Sequence, residues 1–443
     1  MLNINNINLY NSLTLVKNNK KDSSGISSDF KYRYNCSHDV IDFKNKNTVS
    51  FSGQNLSKAL KYVQEVKSCY KNKGIKPILD DFNLYKLDGI LEGTVFDGIP
   101  MEDFATLCDN LENILLIRGC SNHCGHCFAS AKSFKPDVTG EINTIIWEDF
   151  KNLADSIEKI SKRLEFNPLR GFSNRFYPFH DSDPLHLKSY DDKGKSHNIA
   201  EAVEYFYNKT GMLFHITTAG WDKEEIWVQK AAEELTENTL KIPDSINSVM
   251  ISIHPFHKYM TKSIELEKAS RKIEYAERKD FLEEQSQKYR QKYIDRMANV
   301  LKTFLPLFKK DKAAINLLYA PDQASKTEYS QEVSKQLFKE IIDKLEKICK
   351  PEELSDKDKE ILLNNLDKTH QILANGKAKR FFSPSEISQP RFYSVNNELS
   401  IDINGKVFII NSPQYTYPPM GIQLNYRNKN KLPHKFSRIK SLI

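Results

Sequence analysis

The chain has 443 residues, 39% hydrophobic and 28% charged, a globular balance with length enough for one barrel with additions or for two to three domains. Its 65 basic and 58 acidic residues leave a formal charge of +7, too modest by itself to indicate a nucleic-acid partner. Seven cysteines, an odd and low count, argue against a disulfide framework, and no apolar run approaches the roughly 18 residues of a membrane span.

The amino terminus, Met1-Leu-Asn-Ile-Asn-Asn-Ile-Asn8, has no basic region followed by an apolar core, so no secretory signal is expected and a cytoplasmic address follows. Residues 1 to about 50 are rich in Asn, Lys and Ser, with Phe30, Tyr32 and Tyr34 scattered among them, and read as a loosely packed leader. Leu56, Leu60, Val63 and Val66 recur three or four apart and predict an amphipathic helix over Asn55–Tyr70. Phe82–Phe104 is broken by Gly89, Gly93 and Gly98 and reads as hairpin rather than helix. Residues 1–109 together form an expected N-terminal extension.

Ile114–Ile117 is a run of four apolar residues of the kind that suits a buried parallel strand. Gly119 ends it, and Cys120, Cys124 and Cys127 follow as Cys-x3-Cys-x2-Cys. From there strands and helices alternate. A helix is predicted over Trp147–Leu164, a strand over Asn174–Phe179, a helix over Ile199–Asn208 and a strand over Met212–Thr217. A helix over Lys223–Leu235, strands over Ser248–Ile253 and Ala313–Tyr319, and helices ending at Ile348 and spanning Asp356–Ala374 complete the series. This α/β alternation predicts right-handed βαβ units on a parallel sheet. A sixth strand is placed near Lys379–Phe382.

The connection between His254 and Ala313 is unusually long, charged and helical, and reads as an insertion over about 258–307, a solvated hairpin or else a substrate lid. Leu399–Ile410 is an alternating strand, an Asn-Gly turn and a second strand, a strong hairpin signal. The tail from Arg427 holds six basic residues and no acidic one. Residues 110–385 are expected to form the barrel-like body, and 386–443 a C-terminal hairpin and basic tail.

Three thiolates on one loop suit one face of an iron–sulfur cluster. Zinc competes, with His123 or His126 as a fourth ligand, although structural zinc usually draws on separated ligand pairs. The spacing resembles the signature of the radical S-adenosylmethionine (radical SAM) superfamily, with Phe128 where such signatures often carry an aromatic. Downstream, Asp181, Ser182 and Asp183 fall where that family has a Gly-Gly-Glu-type segment for the methionine amino group. Thr218 and Gly220 resemble its next strand-end motif, and Ser252 and His254, on one side of their strand by the period of two, stand where ribose or substrate is met.

The resemblance implies a partial (β/α)6 TIM-like barrel carrying an N-terminal extension, a helical insertion and a C-terminal β-hairpin region. It implies one [4Fe–4S] cluster on Cys120, Cys124 and Cys127, S-adenosylmethionine as co-substrate, and a reduced flavodoxin- or ferredoxin-like electron donor. The enzyme, an oxidoreductase or a transferase, would remove hydrogen from a substrate through a 5′-deoxyadenosyl radical. Only Cys349 follows Cys127, so no auxiliary cluster is expected. The hairpin points to a peptide or protein side chain as substrate, with an edge strand receiving it. A small molecule or a tRNA nucleoside is the alternative, and a zinc- or iron–sulfur-containing binding or regulatory protein is the alternative of another class.

Overall fold

The computed structural model describes residues 89–100, 103–104, 107–108, 111–127, 131, 144–164, 167–170, 175–179, 181–321, 327–366, 368–372, 376–382, 398–410 and 419–426. The leader, the Asn55–Tyr70 helix, Phe128 and the basic tail lie outside them. The molecule is mixed α/β. Five strands form an all-parallel sheet in the order β2 (Arg175–Phe176), β5 (Leu213–Thr218), β6 (Ile246–Ile253), β7 (Ala313–Tyr319) and β8 (Thr369–Gln371). A second sheet runs β1 (Leu111–Ile114), β9 (Glu398–Ile401), β10 (Lys406–Ile410), β11 (Pro419–Gln423). A parallel bridge between Asn113 and Tyr177 joins them, and Leu116 N–H donates to Pro178 O at 3.0 Å, so the chain beyond β1 runs alongside the chain beyond β2. The remaining two strands, β3 (Ser189–Tyr190) and β4 (Ser196–His197), form a small hairpin.

Helices connect the strands where apolar periodicity and end chemistry require them. In α1 (Trp147–Leu164), Phe150, Leu153, Ile157 and Ile160 face the core, with Glu148 and Asp149 in the first turn and Lys162 and Arg163 in the last, each suited to the helix dipole. Asn198 and Glu201 close a capping box on α2 (Ile199–Thr210), and Gly211, at φ +66°, ends it in the left-handed conformation that glycine tolerates. The series continues with α3 (Ile226–Lys241), α4 (Lys258–Ser270), α5 (Lys279–Phe308), α6 (Gln331–Ile348) and α7 (Asp356–Leu363).

Four expectations change. Residues 89–100 form successive turns, not a hairpin, and Ile90, Leu91, Val95 and Phe96 join the main core beside α1. The helix expected to reach Ala374 ends at Leu363, where Asn365 Nδ2 donates to the carbonyls of Ile361 and Leu362. Asparagine competes for backbone groups in this way and ends helices. The sixth strand is therefore Thr369–Gln371, and Lys379–Phe381 lies in the 3-10 helix Gly376–Phe381. Finally, the segment read as an insertion is divided. Residues 271–281 are all exposed, whereas from Tyr293 onward Ile294, Met297, Val300, Leu301 and Phe304 are buried, so this half of α5 is the β6-to-β7 crossover helix itself.

The C-terminal hairpin forms as the Asn-Gly signal implies, with Val407 opposite Ile401 and Gly405 at φ +79°. Its position was not predictable from its own residues. β9 pairs parallel with β1, and β10 pairs with both β9 and β11, so neither hairpin strand is an edge able to receive a peptide. That part of the substrate expectation loses its physical basis.

Candidate metal and cofactor site

The cysteine loop leaves the carboxyl end of β1 and is tied at several points by backbone bonds. Gly119 bridges Ser182, Gly125 N–H donates to Phe256 O at 2.7 Å, and Lys377 N–H donates to Cys127 O at 3.0 Å. A Cβ on Gly125 would run into the Arg380 guanidinium, so glycine lets the loop pass close to the 376–381 segment. His123 adopts a positive φ of 50° and is exposed.

The three thiols are close enough to act on one another. Burial pushes the Cys120 thiol up to about 12, with Asp183 and Cys127 adding to the effect, and Arg296 opposes it. Burial, then Cys120 and Cys127, raise Cys124 well above the ordinary thiol range. Cys127 Sγ accepts the Ala131 N–H at 3.2 Å. Two imidazoles join them. Cys124 Sγ lies 3.7 Å from His254 Nε2, and the His126 and His254 rings meet edge to face at 4.2 Å. Burial pulls His126 down to about 3 and holds His254 well below its usual value, so both rings are neutral and able to ligate. Nδ1 of each is buried without a hydrogen-bond partner among the described residues. Ligating atoms of Cys124, His126 and His254 all lie within 4.8 Å of one another.

This donor set, soft thiols clustered on one loop, fits an iron–sulfur cluster or zinc rather than magnesium or calcium. The other described cysteines do not take part: Cys108 is in the core and Cys349 caps α6.

The two aspartates after β2 separate in role. Asp183 is buried and accepts from Asn122 Nδ2 at 3.0 Å, Thr218 Oγ1 at 2.9 Å, Ala219 N–H at 3.0 Å and Leu185 N–H at 3.2 Å. Burial raises its carboxyl even so, against the nearby His186. It caps the 3-10 helix Pro184–His186 and locks the cysteine loop to the end of β5. Asp181 is different. Its Oδ2 accepts from Arg118 Nε at 3.0 Å, while its Oδ1 is buried with no partner among the described residues. The same Arg118 reaches Asp402 Oδ1, in the hairpin turn, at 3.1 Å. Ser182 Oγ donates to Ile117 O at 2.9 Å and is spent on strand pairing.

Thr218 Oγ1 accepts Gly220 N–H at 2.9 Å. Gly220 itself sits at φ +84°, where a Cβ would come within 2.8 Å of Val300 in α5. Both residues thus shape the strand end, and Ser252 lies one row below His254, whose N–H donates to Tyr293 Oη at 3.1 Å.

The residues that sequence reasoning overlooked are Arg118, Asn122, Arg296, Asp402 and Arg380. Arg296 is the most consequential: its side chain is 2% exposed, donates to Asp222 Oδ1 at 2.6 Å and Gly220 O at 2.6 Å, and also bonds Asn122 Oδ1. Its signal was present as a lone arginine on the α5 face that carries Tyr293, Met297 and Val300. The pair His186 and Glu225, 3.2 Å apart, with Ser121 Oγ 3.0 Å from His186, was likewise unforeseen.

In comparisons with known proteins, the chain matches no family model, no curated protein and no solved structure. No helix among the described residues is long and apolar enough to cross a membrane.

Proposed function

We propose that the chain is a radical SAM enzyme built on a partial (β/α)6 barrel. The observation that carries this reading is the convergence of Cys120, Cys124 and Cys127 beyond the carboxyl end of β1, which a parallel bridge from Asn113 to Tyr177 joins to the β2 edge of the parallel sheet β2, β5, β6, β7, β8. Barrels place their chemistry at this end. When bound there, a [4Fe–4S] cluster with S-adenosylmethionine supplies one-electron cleavage of a sulfonium and a 5′-deoxyadenosyl radical that removes hydrogen from a substrate.

The chain's own residues have separable tasks. The three cysteines hold iron, and Arg296 offsets the negative charge that thiolates bring into a desolvated pocket. Asp181, with Oδ1 free, is the acceptor suited to an ammonium group, whereas Asp183 holds the loop. Neutral His254, beside Cys124, faces the substrate side. A reduced flavodoxin- or ferredoxin-like protein is the donor this chemistry calls for.

The grouping of Cys124, His126 and His254 favours one second reading, a mononuclear zinc-type site. Metal content decides between them. Anaerobically reconstituted protein should be brown, with about four irons and four sulfides per chain, and should cleave S-adenosylmethionine under reduction. Cys120→Ala, Cys124→Ala and Cys127→Ala should each abolish cleavage, and Cys349→Ala should not. Colourless protein with one zinc per chain, unaffected by Cys120→Ala, would overturn the radical reading.

A further inference from the structure

The central strands have two unlike faces. Phe214 and Ile216 of β5, Val249 and Ile251 of β6, and Ile315 and Leu317 of β7 are buried under the helices, Phe214 stacking on Phe206 of α2 at 4.7 Å. Of the alternate positions, Thr217, Met250, Asn316 and Leu318 stay half-buried, as does Phe179 beyond β2, while His215 and Ser252 are buried. They stand in register: Thr217 pairs with Met250, Met250 with Ala314, and Ser252 with Asn316. The next residue along β6 is followed by His254, 3.7 Å from Cys124, so this open face is the floor beneath the cysteine loop.

Two features describe what that floor accepts. Leu213–Thr218, Ile246–Ile253 and Ala313–Tyr319 contain no Asp, Glu, Lys or Arg. The buried and part-buried cations above it are engaged, Arg296 by Asp222 and Arg118 by Asp181 and Asp402, while Arg380, beside Gly125, is exposed and lies over the Phe381 ring. An anionic ligand buried on this floor would lose hydration without gaining a counter-charge from the strands, which is strongly unfavourable. The other feature is Asn316, whose side-chain oxygen is buried with no partner among the described residues, an acceptor awaiting a donor. Phe179 and Met250 add aromatic and thioether surface suited to an aromatic ring.

We infer that this face is the substrate site and takes an uncharged, amide-bearing aromatic group of a peptide, its N–H donated to Asn316 Oδ1, rather than a free carboxylate or phosphate. The inference rests on the radical reading for its chemistry but not for its geometry. A minimal pair of probes tests it on the full chain, with and without reconstitution: N-acetyltyrosinamide and N-acetyltyrosine, followed by saturation-transfer NMR.

The amide should bind at least tenfold more tightly than the carboxylate. Asn316→Leu, nearly isosteric, should weaken the amide about fivefold or more, and Met250→Trp should fill the face and abolish binding, both with wild-type circular dichroism. Equal or tighter binding of the carboxylate, no binding of either probe, undiminished binding in Asn316→Leu, or displacement of the amide by adenosine would each overturn the assignment. Failure of the radical reading appears separately, as absent iron and absent cofactor cleavage with probe binding intact.

Discussion

Replacing Arg296 by methionine tests whether the crossover helix α5 holds the site together. The substitution keeps length and apolar volume while removing a cation and the bonds to Asp222, Asn122 and Gly220. Breaking one side of a buried ion pair costs about 3–5 kcal/mol. Asp222 retains Tyr259 Oη at 2.7 Å and Lys258 Nζ at 3.3 Å, and its side chain is 14% exposed, which moderates the loss. Asn122, 1% exposed, keeps only its donor side through Asp183. The expected destabilisation is therefore at the lower end, about 3 kcal/mol, read from urea unfolding at pH 7. Reconstituted iron should fall in the same protein because the loop has lost its tether. Arg296→Lys restores charge without the planar fork and should recover less than half of the stability. A methionine variant within about 1 kcal/mol of wild type and with full iron would refute the reasoning.

The two aspartates give an opposite pair. Asp181→Asn should weaken S-adenosylmethionine binding more than about tenfold, some 1.4 kcal/mol, by calorimetry with an unchanged melting temperature. Asp183→Ala should instead lower the melting point by leaving its four donors without an acceptor; the reverse pattern would sink the assignment. Acid titration gives another outcome. Burial pushes the Asp222 carboxyl up, but Arg296, Tyr259 and Lys258 more than offset this and hold it below the usual range. A depressed carboxyl contributes stability above its unfolded value of about 3.9 that is lost as pH falls through the folded one. Urea midpoints measured from pH 6 to 3 should therefore fall less steeply below about pH 4 in Asp222→Asn than in wild type, and parallel acid limbs would contradict it.

Much of the fold could be read from local pattern because local pattern caused it. The 3.6-residue periodicity of Trp147–Leu164 and the run Ala313–Tyr319, apolar but for Asn316, coincide with their elements to the residue. Elements whose limits depend on distant partners were less readable. Thr369–Gln371 is three residues long and becomes a strand only because β7 offers its edge. The hairpin after Leu399 announces its turn, but nothing in it encodes parallel pairing with β1, where Leu399 stands beside the sequence-distant Leu111. At the site, the cysteines declare themselves through spacing. Asn122 and Arg296 do not, since an asparagine in a loop and an arginine in a charged helix are ordinary until folding buries them together.

That burial explains how a loop rich in cysteine keeps its shape. A metal-binding loop with no other anchors is ordered by the metal, and its folding free energy is metal-binding free energy. Here Asn122 is held from one side by Asp183 and from the other by Arg296, while Gly125 and Cys127 are pinned through backbone bonds to Phe256 and Lys377. Four elements separated in sequence thus converge on eight residues. The ordering cost is met by folding of the chain, leaving more of the binding energy of any metal held there for selecting its geometry. The same anchors connect the loop to α5, so a group that settles beside Cys124 and His254 acts on the helix that closes β6 to β7 through Tyr293 and Arg296.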